Sequence, residues 1–332
     1  MKIVLIKLGA LGDVIRTLPL AVALKKRFPK SELTWITKPN ALEIIKTDKN
    51  IDKVLMSKPQ EEFDVLYNFD IDKVATTMAS EIKAKEKFGF YSDNGYASAF
   101  NLGAEYYLNT LFDDELKKSN KKTYQEMMFE VAEIPYEKKR YYIDLTPEEA
   151  SLGEIFLKQN NLVGKKIIGI HIGSSPRWPS KAWHESRINE FIKKIKEQGN
   201  EVILFAGPDE IEKRDKILAA LKSEGIEVPT NNPHNSTREF AALVNICKAI
   251  VCSDSFALHL SIGLEKPTVG LFFCTSPEEV EPYDILTKLV SPKLKEFFPE
   301  KMDQYDEGLV KSIDVSEVLE RINQIIPQQT LK

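Results

Sequence analysis

Residues 1–29 read MKIVLIKLGALGDVIRTLPLAVALKKRFP, and the way this stretch folds decides the rest of the chain. Residues 2–7 are a short apolar run with β-branched members, closed by Lys7, and they read as a buried strand. Gly9 and Gly12 then permit a tight turn. From residue 13 to 28 apolar residues recur at helical spacing, so the unit is strand, glycine turn, helix. The same alternation continues, with strands expected at 33–37, 54–56 and 65–69 and helices at 41–46 and 73–82. Short apolar strands separated by helices make a parallel sheet with helical cover. Residues 85–107 are richer in Gly, Ser, Asn and aromatics and lack a clear period, which reads as loops and short elements facing a cleft.

A second series of the same kind begins with a helix at 147–159. Strands are expected at 165–173 (KKIIGIHIG), 201–207 (EVILFAG), 249–254 (AIVCSD) and 268–273 (TVGLFF), and helices at 185–198, 209–223, 237–247 and 256–264. A closing helix spans 315–326 and stops at Pro327. With 332 residues the chain has room for two domains. The fold class expected is α/β, with Rossmann-like doubly wound parallel-sheet domains at 1–148 and 149–332 and a ligand cleft at the carboxyl ends of their strands.

Composition narrows the function classes. With 46 basic against 50 acidic residues, the net charge of -4 creates no field that would select nucleic acid, and none is expected as a partner. No run of about 18 apolar residues occurs, so a spanning helix is not expected. The opening strand lacks the marks of a signal peptide, and a soluble cytoplasmic protein is the expectation. Cys247, Cys252 and Cys274 have no CxxC spacing and no neighbouring His, which fits reduced core thiols.

The residues able to do chemistry cluster after strands. Asp13 follows the Gly9–Gly12 turn and, by local rules alone, reads as the cap of the following helix. The glycine spacing is neither GxGxxG nor a P-loop, so a phosphate cradle is not expected there. In the second half, Ser174 and Ser175 follow the strand and precede Arg177, Lys181 and Trp183; hydroxyls, amides and a cation before a helix suit a diphosphate, or else form a solvated loop. Asp254 and Ser255 follow another strand, and His259 lies one helical turn on, as a core histidine or a ligand contact. Asp209 or Glu210, just past a third strand, could hold a ribose hydroxyl or simply start a helix. Asp70 and Asp72 form a DxD pair, but such pairs arise easily by chance, and this one lies away from the phosphate-friendly loops, so no metal site is expected.

Four stretches in order, residues 7–29, 179–195 (PSKAWHESRINEFIKKI), 204–210 (LFAGPDE) and 253–277 (SDSFALHLSIGLEKPTVGLFFCTSP), resemble the motifs of glycosyltransferase family nine, the ADP-heptose:lipopolysaccharide heptosyltransferases. The resemblance implies a GT-B fold, a donor held by residues 149–332, an acceptor held by residues 1–148, and inverting transfer without metal or other cofactor. It implies transfer of heptose from ADP-heptose to the inner core of lipopolysaccharide, in the cytoplasm, with peripheral contact to the inner membrane. Catalysis is then expected from Asp13 as general base and Lys181 at the diphosphate, with Ser174, Ser175, Asp209, Asp254, Ser255 and His259 binding the donor. The chain departs from the family at Phe256, where Gly is usual, and at Phe273-Cys274, where Gly-Pro is common. The alternatives are a GT-B enzyme with another donor or acceptor, a GT-B nucleotide-sugar epimerase, or a nucleotide-sugar-binding module without catalysis.

Overall fold

The computed structural model describes residues 1–326; the stop expected at Pro327 lies outside the described residues. The chain divides into two compact units, one of Met1–Ile143 with Glu278–Glu281, the other of Asp144–Pro277 with the described residues from Pro282 onward. Unit 1 runs β1 (Lys2–Ile6), α1 (Leu11–Arg27), β2 (Glu32–Ile36), α2 (Pro39–Ile45), β3 (Lys53–Leu55), β4 (Phe63–Asn68), α3 (Lys73–Glu81), β5 (Ala84–Asp93), β6 (Tyr96–Ala99), α4 (Leu102–Thr110), α5 (Asp114–Ser119) and α6 (Tyr124–Val131). Its sheet has the order β3-β2-β1-β4-β5-β6. Strand β1 is central because Ile3 to Ile6 are all fully buried, leaving apolar side chains on both faces that only helices can cover.

Unit 2 runs α7 (Pro147–Gln159), β7 (Ile167–His171), α8 (Glu185–Glu197), β8 (Glu201–Phe205), α9 (Ile211–Ser223), α10 (Thr237–Asn245), β9 (Ala249–Ser253), α11 (Phe256–Gly263), β10 (Thr268–Phe272), β11 (Leu286–Val290), α12 (Leu294–Phe297), α13 (Glu307–Val310) and α14 (Val315–Ile325). Its sheet is wholly parallel, in the order β11-β10-β9-β7-β8. Helix α8 buries Ile188, Phe191, Ile192 and Ile195, and α14 buries Val315, Val318, Leu319 and Ile322, the same i, i+3, i+4, i+7 stripe on both. At about 1.5–3 kcal/mol for each large apolar side chain removed from water, these stripes hold the helices to the sheet. Both units are thus Rossmann-like, as the strand–helix alternation predicts.

Residues 85–107 are the main departure from expectation. They form the longest strand, β5, a hairpin to β6, and α4, rather than loops. Asn94 and Gly95 both take positive φ (48° and 92°), a two-residue turn that sets Asp93 opposite Tyr96. Gly89, at φ 92°, lies so close to the Asn68 carbonyl that a Cβ would sit 1.9 Å from it, which is why a glycine interrupts the strand pattern.

Candidate active site

Each sheet is doubly wound, and each has one place where successive connections leave in opposite directions. In unit 1 this is between β1 and β4; in unit 2 it is between β7 and β9. Loops at the carboxyl ends of such neighbouring strands splay apart and leave room for a ligand. Asp13 lies at the first of these places, and Lys181, Asp254, Ser255 and His259 lie at the second.

In unit 1, Asp13 is the third residue of α1, and the helix begins after Ala10 without a side-chain cap. The reading of Asp13 as the helix cap is therefore corrected: two residues of helix precede it, so its carboxylate is too far along to close the first turn. Instead Arg16 Nε donates to Asp13 Oδ1 at 3.0 Å, and its Nη2 lies 2.8 Å from the same oxygen. The Arg16 guanidinium rests 3.7 Å from the centroid of the Tyr124 ring. Lys7 is buried and donates to the Phe69 carbonyl; burial works against its charge, but Tyr124, Asp70 and Asp13 outweigh that and hold the ammonium charged. Asp70 accepts from the Leu8 amide at 2.8 Å, whereas Asp72 accepts from the Val74 and Ala75 amides and starts α3. The two acids of the DxD pair thus serve different parts of the backbone. Among the described residues no group of three or more His, Cys, Asp or Glu side chains could hold a metal ion.

In unit 2, Lys181 comes from the loop after β7 and Asp254 from the loop after β9, and they meet with Nζ 3.0 Å from Oδ2. His259 Nε2 lies 3.8 Å from Asp254 Oδ1. Ser255 precedes α11 but makes no capping bond; its hydroxyl, like that of Thr275, is buried without a hydrogen-bond partner among the described residues. Cys274 adjoins this group: burial, with Asp254, pushes its thiol up to about 11, against the pull of Lys181. A cation beside buried hydroxyls at a helix start is an arrangement that can take an anion.

Ser174, Ser175 and Asp209 lie apart from that group in the contacts they make. They line a cavity of about 320 Å³ together with His184, Glu185, Glu210, Lys213 and Tyr305. Asp209 is exposed on its wall, while Glu210 is half-buried and accepts from the Gly207 amide at 2.8 Å. Burial raises the Glu210 carboxyl and pushes the Lys213 ammonium down to about 8. Lys213 donates to the carbonyls of Trp183 (2.7 Å) and Ile172 (3.3 Å) and so ties the loop after β7 to the start of α8. The helix expected from residue 209 begins only at Ile211, after a 3₁₀ turn over Pro208–Glu210. Sequence reasoning missed Arg16, although it stands three residues after Asp13 on one helix, the spacing at which side chains meet, and Lys213, three residues after Glu210 in the turn that leads into α9.

Of the two departures from the family pattern, Phe273 is fully buried in the core of unit 2, and Phe256 packs on Phe240 at 5.9 Å between ring centroids.

The model of glycosyltransferase family 9 (heptosyltransferase) matches residues 60–304, which include Lys181, Asp254 and His259 but not Asp13. The chain belongs to this family. It is 28% identical over 155 residues to lipopolysaccharide heptosyltransferase 2 of Escherichia coli K12, a match spanning 46% of the chain and 44% of the length of that relative. The fold is that of a family 9 glycosyltransferase from Veillonella parvula, with TM-score 0.78 and 19% identity over 99% of this chain and 97% of the other. The E. coli ADP-heptose heptosyltransferase II structure has TM-score 0.73 and 18% identity over 98% of each chain. Among the described residues no helix is long and apolar enough to cross a membrane.

Proposed function

We propose that this family 9 protein transfers heptose from ADP-heptose to the inner core of lipopolysaccharide, with inversion at the anomeric carbon. The observation that carries the reading is the Lys181–Asp254–His259 group beside the buried Ser255 hydroxyl, at the switch point of the unit 2 sheet. A diphosphate there would be offered an ammonium, hydroxyls and the amides that open α11. Residues 149–332 then carry the donor, with Ser174, Ser175 and Asp209 on the cavity wall beside it, and residues 1–148 carry the acceptor. An acceptor built on lipid would bring the protein to the cytoplasmic face of the inner membrane.

In the proposed step an acceptor hydroxyl loses its proton to the Asp13 carboxylate as its oxygen bonds to the anomeric carbon. The bond from that carbon to the β-phosphate oxygen breaks, and its electron pair leaves with ADP. Lys181 stabilises the charge that builds on the departing oxygen, and the positive end of α11 adds about half a unit charge. Asp254 holds Lys181 in place when the site carries no phosphate.

The test is to incubate the purified protein with ADP-heptose, ADP-glucose, UDP-glucose and GDP-mannose in turn, with heptose-free lipopolysaccharide as acceptor, and to follow both free nucleotide and heptosylated product. Heptosylation with ADP-heptose supports the reading. Transfer from another donor only, epimerised nucleotide sugar, or binding without turnover would each replace it.

A further inference from the structure

We infer that Arg16 is a positioning residue for the proton transfer, holding the Asp13 carboxylate in the orientation from which it accepts. The inference rests on the reading of Asp13 as the general base and adds to it the group that fixes that base.

Asp13 and Arg16 stand one helical turn apart on α1, and an ordinary exposed pair at this spacing contributes only a few tenths of a kcal/mol. This pair differs in three ways. The Arg16 side chain is only 13% exposed. Two of its nitrogens converge on a single Asp13 oxygen rather than sharing both. Its guanidinium plane lies against the ring of Tyr124, which opens α6 and is itself fully buried. Tyr124 is locked in turn: its hydroxyl is 3.2 Å from Thr17 Oγ1, its ring meets Tyr107 edge-on at 6.0 Å, and its amide donates to the Glu279 carbonyl. Thr17 completes the circuit by donating to the Asp13 carbonyl at 2.6 Å. Arg16 therefore has little rotational freedom, and the carboxylate it grips inherits that restriction. Lys7, just past the end of β1, adds a second positive charge that acts on the same group.

Lysine cannot take over this work, because an ammonium offers neither the planar fork nor the flat face that stacks on Tyr124. Its aliphatic stem would still fill the same space. Arg16→Lys and Arg16→Gln are thus paired tests, the first preserving charge and bulk.

The experiment measures kcat, KM for ADP-heptose, ADP affinity and thermal midpoint for both variants, for Asp13→Asn, and for Asp13→Asn combined with Arg16→Gln. A misplaced base costs on the order of tenfold to a hundredfold in rate. The expected result is a loss of that size in kcat for both Arg16 variants, with KM and ADP affinity unchanged, partial restoration of Arg16→Gln by added guanidinium ion, and no further loss when Arg16→Gln is added to Asp13→Asn. Wild-type kcat in Arg16→Lys, or a loss that multiplies that of Asp13→Asn, would overturn the inference while leaving the base intact. Full activity in Asp13→Asn would remove the base itself, and this role for Arg16 with it.

Discussion

Lys181 and Asp254, seventy-three positions apart in sequence, meet at 3.0 Å where β7 and β9 lie side by side. The lysine is therefore held in an ion pair that a more negative group such as a diphosphate can exchange into. A charged hydrogen bond is worth about 1.5–3 kcal/mol. Lys181→Ala should weaken ADP binding by roughly tenfold to a hundredfold and lower turnover as well. Arg177, which is exposed and lies against the Trp178 ring, should matter less when changed to Ala. Calorimetric titration with ADP decides it: unchanged affinity in Lys181→Ala would move the donor elsewhere.

Replacing Asp13 by Asn keeps the shape of the side chain and removes its capacity to take a proton. Turnover should fall by at least about a hundredfold, the usual minimum for losing a general base, with ADP affinity near that of the wild type. Steady-state kinetics beside calorimetry separates the two quantities, and near-normal turnover would return Asp13 to a structural role.

Asp70 and Asp72 are engaged by different backbone amides, one in the turn after β1 and the other at the start of α3. Each carboxylate is thereby committed to the backbone of its own element, so transfer should persist after dialysis against EDTA. Activity lost to EDTA and restored by Mg²⁺ or Mn²⁺ would require a metal in the mechanism.

The strand–helix series was readable because the buried strands are continuous apolar runs, such as Ile3 to Ile6 and Ala249 to Cys252, that admit few alternatives. Residues 85–107 were not, since β5 carries Lys85 and Lys87 at alternate positions and a glycine inside it, and composition alone resembles a loop. The Asn94-Gly95 pair was nonetheless a hairpin signal in plain view. Strand β11, which pairs with β10, went unread because its LTKLV run is short and interrupted by Thr287 and Lys288. For the site, position after a strand offered Arg177, Lys181, Asp254 and Ser255 as candidates, and it is the structure that sets Lys181 against Asp254. The i, i+3 spacing of Asp13 and Arg16 is a local signal, but the Tyr124 ring that holds Arg16 is more than a hundred residues away, and no local rule reaches that far.

His171 ends β7 beside the Phe240 ring, and burial pushes its imidazole down to about 4 from an ordinary 6.5. The unfolded chain then binds a proton that the folded chain refuses between these values, so stability is present above pH 6.5 and is lost as pH falls toward 4. Urea denaturation across that range should show the wild type losing up to roughly 3 kcal/mol more than His171→Gln. Parallel pH profiles for the two proteins would count against this.

Arg238, almost wholly buried on α10, donates to Glu149 at 2.7 Å and to the Asp144 carbonyl at 2.6 Å. Glu149 also completes the capping box of α7 with Thr146, so one carboxylate serves both helices. Arg238→Ala should cost roughly 1.5–3 kcal/mol in stability by removing charged hydrogen bonds from a buried setting. A urea midpoint equal to that of the wild type would show the tie to be redundant.

Residues 278–281 belong with unit 1 although the chain has by then built most of unit 2, and the Glu279 carbonyl receives the amide that opens α6. On the ribosome, the first hundred and forty residues therefore emerge without one of their own acceptors and wait for it while another domain is being made. A gene that exchanged its second half with a relative by a single crossover after Ile143 would import a foreign strap into its first half. Recombination in this architecture is constrained to carry two junctions more than a two-domain diagram suggests.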